Sequence, residues 1–284
     1  MKLKFTKMHG AGNDYIFFNC TVPEIKDPAS TAVRICKRHT SVGGDGIVII
    51  LPSDIADARM RIFNADGSEA RMCGNAVRCV AKYLYDNNII KKTDISVETL
   101  SGVKYISLSV RNGETVAATV DMGYASTSPM LVPHLFDEPM LNTAVSVNGT
   151  FISMSAISVG NPHVVIFVND TETVDVDEIG PAVENHKLFP DRTNVEFVKV
   201  TDRNTLCIRV WERGSGETLA CGTGACAAAA VAALCGYCKY SEDIRVISLG
   251  GELTVKVEPD LHVYLTGECV KAFDGEVELP DNLS

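Results

Sequence analysis

The chain alternates short β-branched and aromatic runs with helix-forming stretches, and it does so twice. YIFFN (Tyr15–Asn19) and VVIFV (Val164–Val168) each follow a Gly-Asn pair and read as strands. Helical stretches are predicted over Ala29–Lys37 and Asp177–Asn185, followed by strands over Gly46–Leu51 and Asn194–Val200. Ala76–Tyr85 and the Ala-rich Ala225–Leu234 consist of strong helix formers. The second of these is apolar all round and made of small residues, which predicts a helix enclosed by a layer of strands. Strands follow over Tyr105–Val110 and Val116–Met122, and again over Leu253–Val257 and His262–Thr266. The first half closes near Gly123, Ser126–Pro139 reads as a connector, and Cys269–Leu279 fits neither pattern.

The duplication extends to polar residues. GAGNDYIFF resembles SVGNPHVVIF, which aligns Asn13 with Asn161, 148 positions on. FNADGSEARMCGNA and WERGSGETLACGTG align without a gap, matching Glu69 with Glu217 and Cys73 with Cys221 at the same offset of 148. DISVETLSG and DIRVISLGG match at 149. For strand residues, packing alone explains such a repeat. The asparagines and cysteines lie instead in Gly-bearing junctions, which carry function more often than cores do, and two facing half-sites are expected.

A length of 284 residues favours two domains. A hydrophobic share of 46% with 22% charged residues is that of a globular chain. Net charge is −10 and no basic stretch could neutralise a phosphate backbone, so a small polar substrate is expected and nucleic acid is not. The longest apolar run, Ala225–Cys235, is too short to span a bilayer, and no apolar run of signal-peptide length follows Met1. No membrane partner and a cytoplasmic location are therefore expected. Ten cysteines in such a chain are expected to be reduced, and each is by default a buried hydrophobe.

Cys73 and Cys221 rise above that default because each precedes a Gly at the predicted start of a helix. Free N–H groups and the helix dipole there favour a thiolate, whose pKa falls from ~8.5 to about 3.5–7.5 at such positions. The same N–H groups bind carboxylates. Inverting a carbon centre needs an acid and a base on opposite faces, and paired half-sites supply one each. His163 and Glu212, although lone polar residues are usually structural, also lie in these loops.

Other motifs carry less. Cys79, Cys226, Cys20, Cys36, Cys207 and Cys269 fall in helix or strand patterns where packing suffices. Cys235-Gly-Tyr-Cys238 follows its helix, where the dipole opposes a thiolate, so a redox role is disfavoured. Gly222-Thr-Gly224-Ala-Cys-Ala227 matches the dinucleotide fingerprint loosely and lacks an acidic ribose ligand at the expected distance. Ligand spacing for zinc is missing as well.

KMHGAGNDY, GGDG (Gly43–Gly46), FNADGSEARMCGNAVR, GNPH, RTNVEF and WERGSGETLACGTGA together resemble the diaminopimelate epimerase family across nearly the whole chain. CGN or CGTG alone would equally suit the related proline racemases. The resemblance implies an isomerase interconverting LL- and meso-2,6-diaminoheptanedioate for lysine and peptidoglycan precursor synthesis, with Cys73 and Cys221 as acid and base. Metal, pyridoxal phosphate and nicotinamide are not implied. It further implies that Gly74, Asn75, Gly222 and Thr223 hold the reacting carboxylate and that His163 and Glu212 assist the thiols. Asn13, Asn64, Asn161, Asn194, Glu212 and Arg213 would bind the substrate's remaining polar groups, Arg213 suiting a carboxylate. Gly46 stands where a Gln can occur, so a side-chain contact there is lost.

The implied fold is α/β (α+β), with two pseudo-symmetric domains, each a mostly antiparallel curled sheet around a central helix, and the active site in the interdomain cleft. The C-terminal strand is expected to rejoin the first domain. This places residues 1–123 plus 268–284 in the half carrying Cys73 and 124–267 in the half carrying Cys221. A homodimer is also implied. A proline racemase or hydroxyproline epimerase, a non-catalytic two-lobed amino-acid-binding protein, and a thiol redox protein are the alternatives.

Overall fold

A computed structural model describes residues 2–20 and 25–279. It divides into two compact units, residues 1–121 with 267–284 and residues 122–266. Residues 1, 21–24 and 280–284 of the expected first half lie outside the described residues.

In the first unit, β1 (Lys2–Gly10) and β2 (Asn13–Asn19) form a hairpin, followed by α1 (Pro28–Ile35), β3 (Gly46–Leu51) and β4 (Ala58–Asn64). Next come the two-residue β5 (Glu69–Ala70), α2 (Gly74–Asp86), β6 (Asp94–Thr99), β7 (Gly102–Arg111) and β8 (Glu114–Tyr124). β2 runs parallel to β3, and β4 parallel to β6; every other pairing is antiparallel. The sheet carries apolar residues on both faces because both are covered. Ile16, Phe18, Ile47, Ile49 and Phe63 pack with Ala32 and Ile35 of α1. Phe17, Val48 and Ile62, alternate along the same strands, are equally buried. α2 packs on β1, β2, β6 and β7.

The second unit repeats this order from β10 (Thr150–Ser158), which also forms a hairpin with the preceding β9 (Thr143–Val147). β11 (Pro162–Phe167), α3 (Val176–Glu184), β12 (Asn194–Asp202), β13 (Thr205–Glu212), β14 (Gly216–Thr218), α4 (Gly222–Leu234), β15 (Asp243–Ser248), β16 (Gly251–Val257) and β17 (His262–Gly267) follow. β11 is parallel to β12 and β13 to β15, the counterparts of the two parallel pairs in the first unit. As its composition predicts, α4 is enclosed: it packs on β10, β11, β12, β13, β15 and β16, with Ala225 to Ala232 fully buried. Alanine has the volume that lets strands approach an axis closely, and a larger residue there would overpack.

Three details differ from the sequence pattern. Cys269–Leu279, unassigned by pattern, contains β18 (Val270–Glu278), which pairs antiparallel with β1 from Lys2↔Glu278 to His9↔Val270. Its residues are mostly exposed, so no apolar alternation marked it. In the second unit the matching place beside β10 is filled by β9, the preceding strand of a hairpin. α1 ends at Ile35 rather than Lys37, where Cys36 closes the helix on Ala32. Finally, Ser126–Pro139 is anchored within its unit: Ser126 bridges Ser158, and Val132 joins the core of Phe197, Val164 and Val183. The overall class is mixed α/β, dominated by strands, as expected.

Candidate active site

Each unit gathers its polar side chains at the same place: the starts of two parallel strands and the N-terminus of the central helix. In the first unit, Asn13 and Tyr15 open β2, Gly46 opens β3 opposite Tyr15, and Asn64 ends β4 opposite Gly46. In the second, His163 opens β11 opposite Asn194 at the start of β12, and Glu212 ends β13.

Cys73 is the N-cap of α2 in an extended conformation, and its thiol donates to Asn13 Oδ1 at 3.3 Å. Asn13 Nδ2 in turn donates to Asp45 Oδ2 at 2.7 Å. Asp45 also accepts from the Asp14 backbone N–H at 3.0 Å and pairs with Arg38 at 2.6 Å. Asn75, in the first turn of α2, is buried and its Oδ1 accepts from Arg78 at 2.8 Å. Burial, with the adjacent Cys73 adding to it, pushes the Tyr15 phenol well above its ordinary value. Gly46 admits this ring because a Cβ at that position would stand 3.0 Å from Tyr15 Cε1 and 2.3 Å from the Phe63 carbonyl oxygen.

Cys221 is the N-cap of α4, and its sulfur accepts from the Gly224 N–H at 3.4 Å and lies 3.3 Å from Thr223 Oγ1. Asn161 Nδ2 donates to that Thr223 hydroxyl at 3.4 Å. His163 is fully buried, with Nδ1 2.7 Å from Glu196 Oε1 and Nε2 3.0 Å from Asn161 Oδ1. Thr218 donates to Glu212 at 2.6 Å, while burial raises the Glu212 pKa above the usual carboxylate value. Gly74 and Gly222 are the buried first residues of α2 and α4.

Asn64, Asn194 and Arg213 are committed to local contacts. Asn64 donates to Ser68 Oγ at 3.0 Å. Asn194 bridges the Pro162 carbonyl and the Arg213 N–H, and the Arg213 guanidinium donates to the Asp191 carbonyl at 2.8 Å. Tyr15, Asp45 and Glu196 are residues that sequence reasoning passed over, although GNDY, GGDG and NVEF contain them. The repeat pointed to Tyr15, since it stands 148 positions before His163. Among the described residues no group of three or more His, Cys, Asp or Glu side chains is placed to hold a metal ion.

The helix-terminus argument predicts a depressed thiol pKa, and Cys221 departs from it. Burial first, then the nearby Glu212 and Glu196 carboxylates, push this thiol well above its ordinary value, outweighing the Thr223 and Gly224 contacts. Burial likewise raises Cys36, Cys238 and Cys269 to about 11. A thiol whose folded pKa is raised stabilises the fold fully below the unfolded value of ~8.5, and that contribution is lost as pH climbs toward the folded value. The thermal midpoint is therefore expected to hold up to about pH 8.5 and to fall between there and pH 11. A midpoint constant across that interval in a calorimetric pH series would show that these thiols do not resist ionisation.

The family model for diaminopimelate epimerase matches residues 5–128 and 155–272. The chain belongs to the diaminopimelate epimerase family. The diaminopimelate epimerase of Acetivibrio thermocellus is 46% identical over 279 residues, covering 98% of this chain and 99% of that relative. That of Bacteroides thetaiotaomicron is 48% identical, covering 98% of each. Among solved structures, a hydroxyproline epimerase from Agrobacterium vitis with bound trans-4-hydroxy-L-proline superposes with a TM-score of 0.74, covering 99% of this chain and 94% of that one. A PhzF-family phenazine biosynthesis protein from Bacillus anthracis gives 0.69, covering 98% and 100%. At 16% and 18% identity these two show a shared fold. As a member of the diaminopimelate epimerase family the chain is an isomerase, and no helix among its described residues is long and apolar enough to cross a membrane.

Proposed function

We propose that the protein interconverts LL- and meso-2,6-diaminoheptanedioate by moving a proton at one α-carbon between Cys73 and Cys221, with no cofactor. The observation that carries this reading is that each unit makes a cysteine the N-cap of its central helix, with the repeated asparagine beside it. The named relatives supply the substrate.

In this reading the α-carboxylate is taken by N–H groups of Gly74, Asn75, Gly222 and Thr223, the first residues of α2 and α4. One sulfur removes the α-proton as a thiolate while the other delivers its proton to the opposite face, leaving the enzyme in the reciprocal protonation state. Carbanion charge spreads into the carboxylate, where those fixed dipoles stabilise it. His163 and Glu212 support Cys221, and Asn13, Asn64, Asn161, Asn194 and Arg213 hold the remaining polar groups. For Asn64, Asn194 and Arg213 this requires exchanging or sharing the local bonds described above. A homodimer in the cytoplasm, feeding lysine and peptidoglycan synthesis, completes the reading.

Incubation with the LL-isomer in deuterated water, followed by chiral separation and mass analysis, tests it. The expected product is the meso form carrying one deuterium, formed without added cofactor. Turnover of trans-4-hydroxy-L-proline or proline with no reaction on diaminoheptanedioate would favour the hydroxyproline epimerase alternative. Unlabelled, unchanged substrate in every case would favour a binding protein.

A further inference from the structure

The two repeated asparagines present opposite ends of their amides. Asn13 turns its carbonyl oxygen to the Cys73 thiol because its NH2 is taken by Asp45. Asn161 turns its NH2 to Thr223, the neighbour of Cys221, while its oxygen faces the His163 ring. The repeat itself accounts for the difference: the position matching Asp45, 148 residues on, is Thr193, so the second unit has no carboxylate there.

We propose that Asp45 is a positioning residue that locks the Asn13 amide with its oxygen toward Cys73, so that the first half-site offers its cysteine a hydrogen-bond acceptor. The lock is braced from behind. Arg38 bridges Asp45 and Asp14, and Lys7 pairs with Asp14 at 2.6 Å. An acceptor beside sulfur favours the protonated thiol, whereas a donor favours the thiolate. Its own half-site thereby holds Cys73 toward the thiol form. The other ionisable groups around it are Tyr15 on β2, which also contacts Cys73 and Asn13 and feels the Asp45 charge, Arg78 and Cys79 on α2, and the Asp45 carboxylate itself.

This inference rests on the reading of Cys73 as an acid/base residue, yet it is testable without turnover. Cys73 is partly exposed, so its alkylation by iodoacetamide can be followed by peptide mass as a function of pH. In Asp45→Ala the Asn13 NH2 loses its acceptor, and the Asn13 amide is free to turn that NH2 to the sulfur. The labelling midpoint is expected to fall by about one unit. In Asn13→Asp a carboxylate replaces the amide, and the midpoint is expected to rise by a similar amount. Asp45→Asn, whose oxygen can still accept from Asn13 and the Asp14 N–H, removes the same charge and keeps the lock, so a larger fall in Asp45→Ala than in Asp45→Asn is the signature that charge alone would not produce. Equal midpoints in the two Asp45 variants would overturn the proposal. Should Asp45→Ala fail to fold, an unshifted midpoint in Asn13→Asp would do so. Absence of epimerase activity in the unmodified protein, with the predicted labelling shifts intact, would instead count against the proposed function.

Discussion

Cys73→Ala and Cys221→Ala are each expected to lower kcat for epimerisation by at least about 10³-fold, within the range general acid–base groups contribute. Each is the sole thiol in the first turn of its helix, and alanine at either position removes the group that takes or gives the α-proton. The carboxylate contacts come from backbone N–H groups of α2 and α4, which alanine leaves in place. KM should therefore change by much less than kcat, a split that marks a group acting on the reacting atoms. Cys→Ser should fall between, since a hydroxyl can deliver a proton but ionises far less readily than a thiol. Steady-state kinetics with a coupled assay of meso-isomer formation read all of this. Activity within about tenfold of wild type in either alanine variant would remove the two-thiol mechanism.

Glu196→Ala is expected to be the most destabilising single substitution in the second half-site. Glu196 and His163 are both fully buried and joined at 2.7 Å, and no exposed partner can replace either. Removing Glu196 leaves the buried His163 Nδ1 without its partner, at a cost of about 1–3 kcal/mol. For a unit of this size that corresponds to a fall of roughly 2–12 °C in thermal midpoint. The damage should reach the site, since the His163 ring no longer fixes the Asn161 oxygen and the amide beside Thr223 is released. Glu196→Gln keeps the shape and one acceptor oxygen, so it should lose less than half as much stability. Calorimetry on the two variants decides it. A loss below about 1 kcal/mol in the alanine variant would mean that water or rearrangement satisfies His163.

The duplication, the enclosed Ala-rich helix and the placement of Cys73 and Cys221 at helix starts were all legible in the chain. Each depends on local propensity or on short-range pattern, which sequence states directly. Gly-Asn junctions before strands and Cys-Gly before helix formers likewise encode their own geometry. β18 was not legible from its residues, because a mostly exposed edge strand has no apolar alternation and is defined by its partner β1, more than 260 positions away in the chain.

Electrostatics and orientation were decided only by the tertiary structure. A helix start predicts a thiolate-stabilising dipole, but whether Cys221 feels it depends on burial and on Glu212 and Glu196, which packing brings beside it. Asn13 and Asn161 look equivalent in sequence, yet Asp45 and His163 turn their amides opposite ways. Sequence fixes which chemical groups lie at the helix and strand ends, because those ends are set by nearest neighbours. The protonation and direction of these groups follow from burial, charges and hydrogen bonds that only folding sets, whether the partner is 32 positions away, as Asp45 is from Asn13, or two, as His163 is from Asn161.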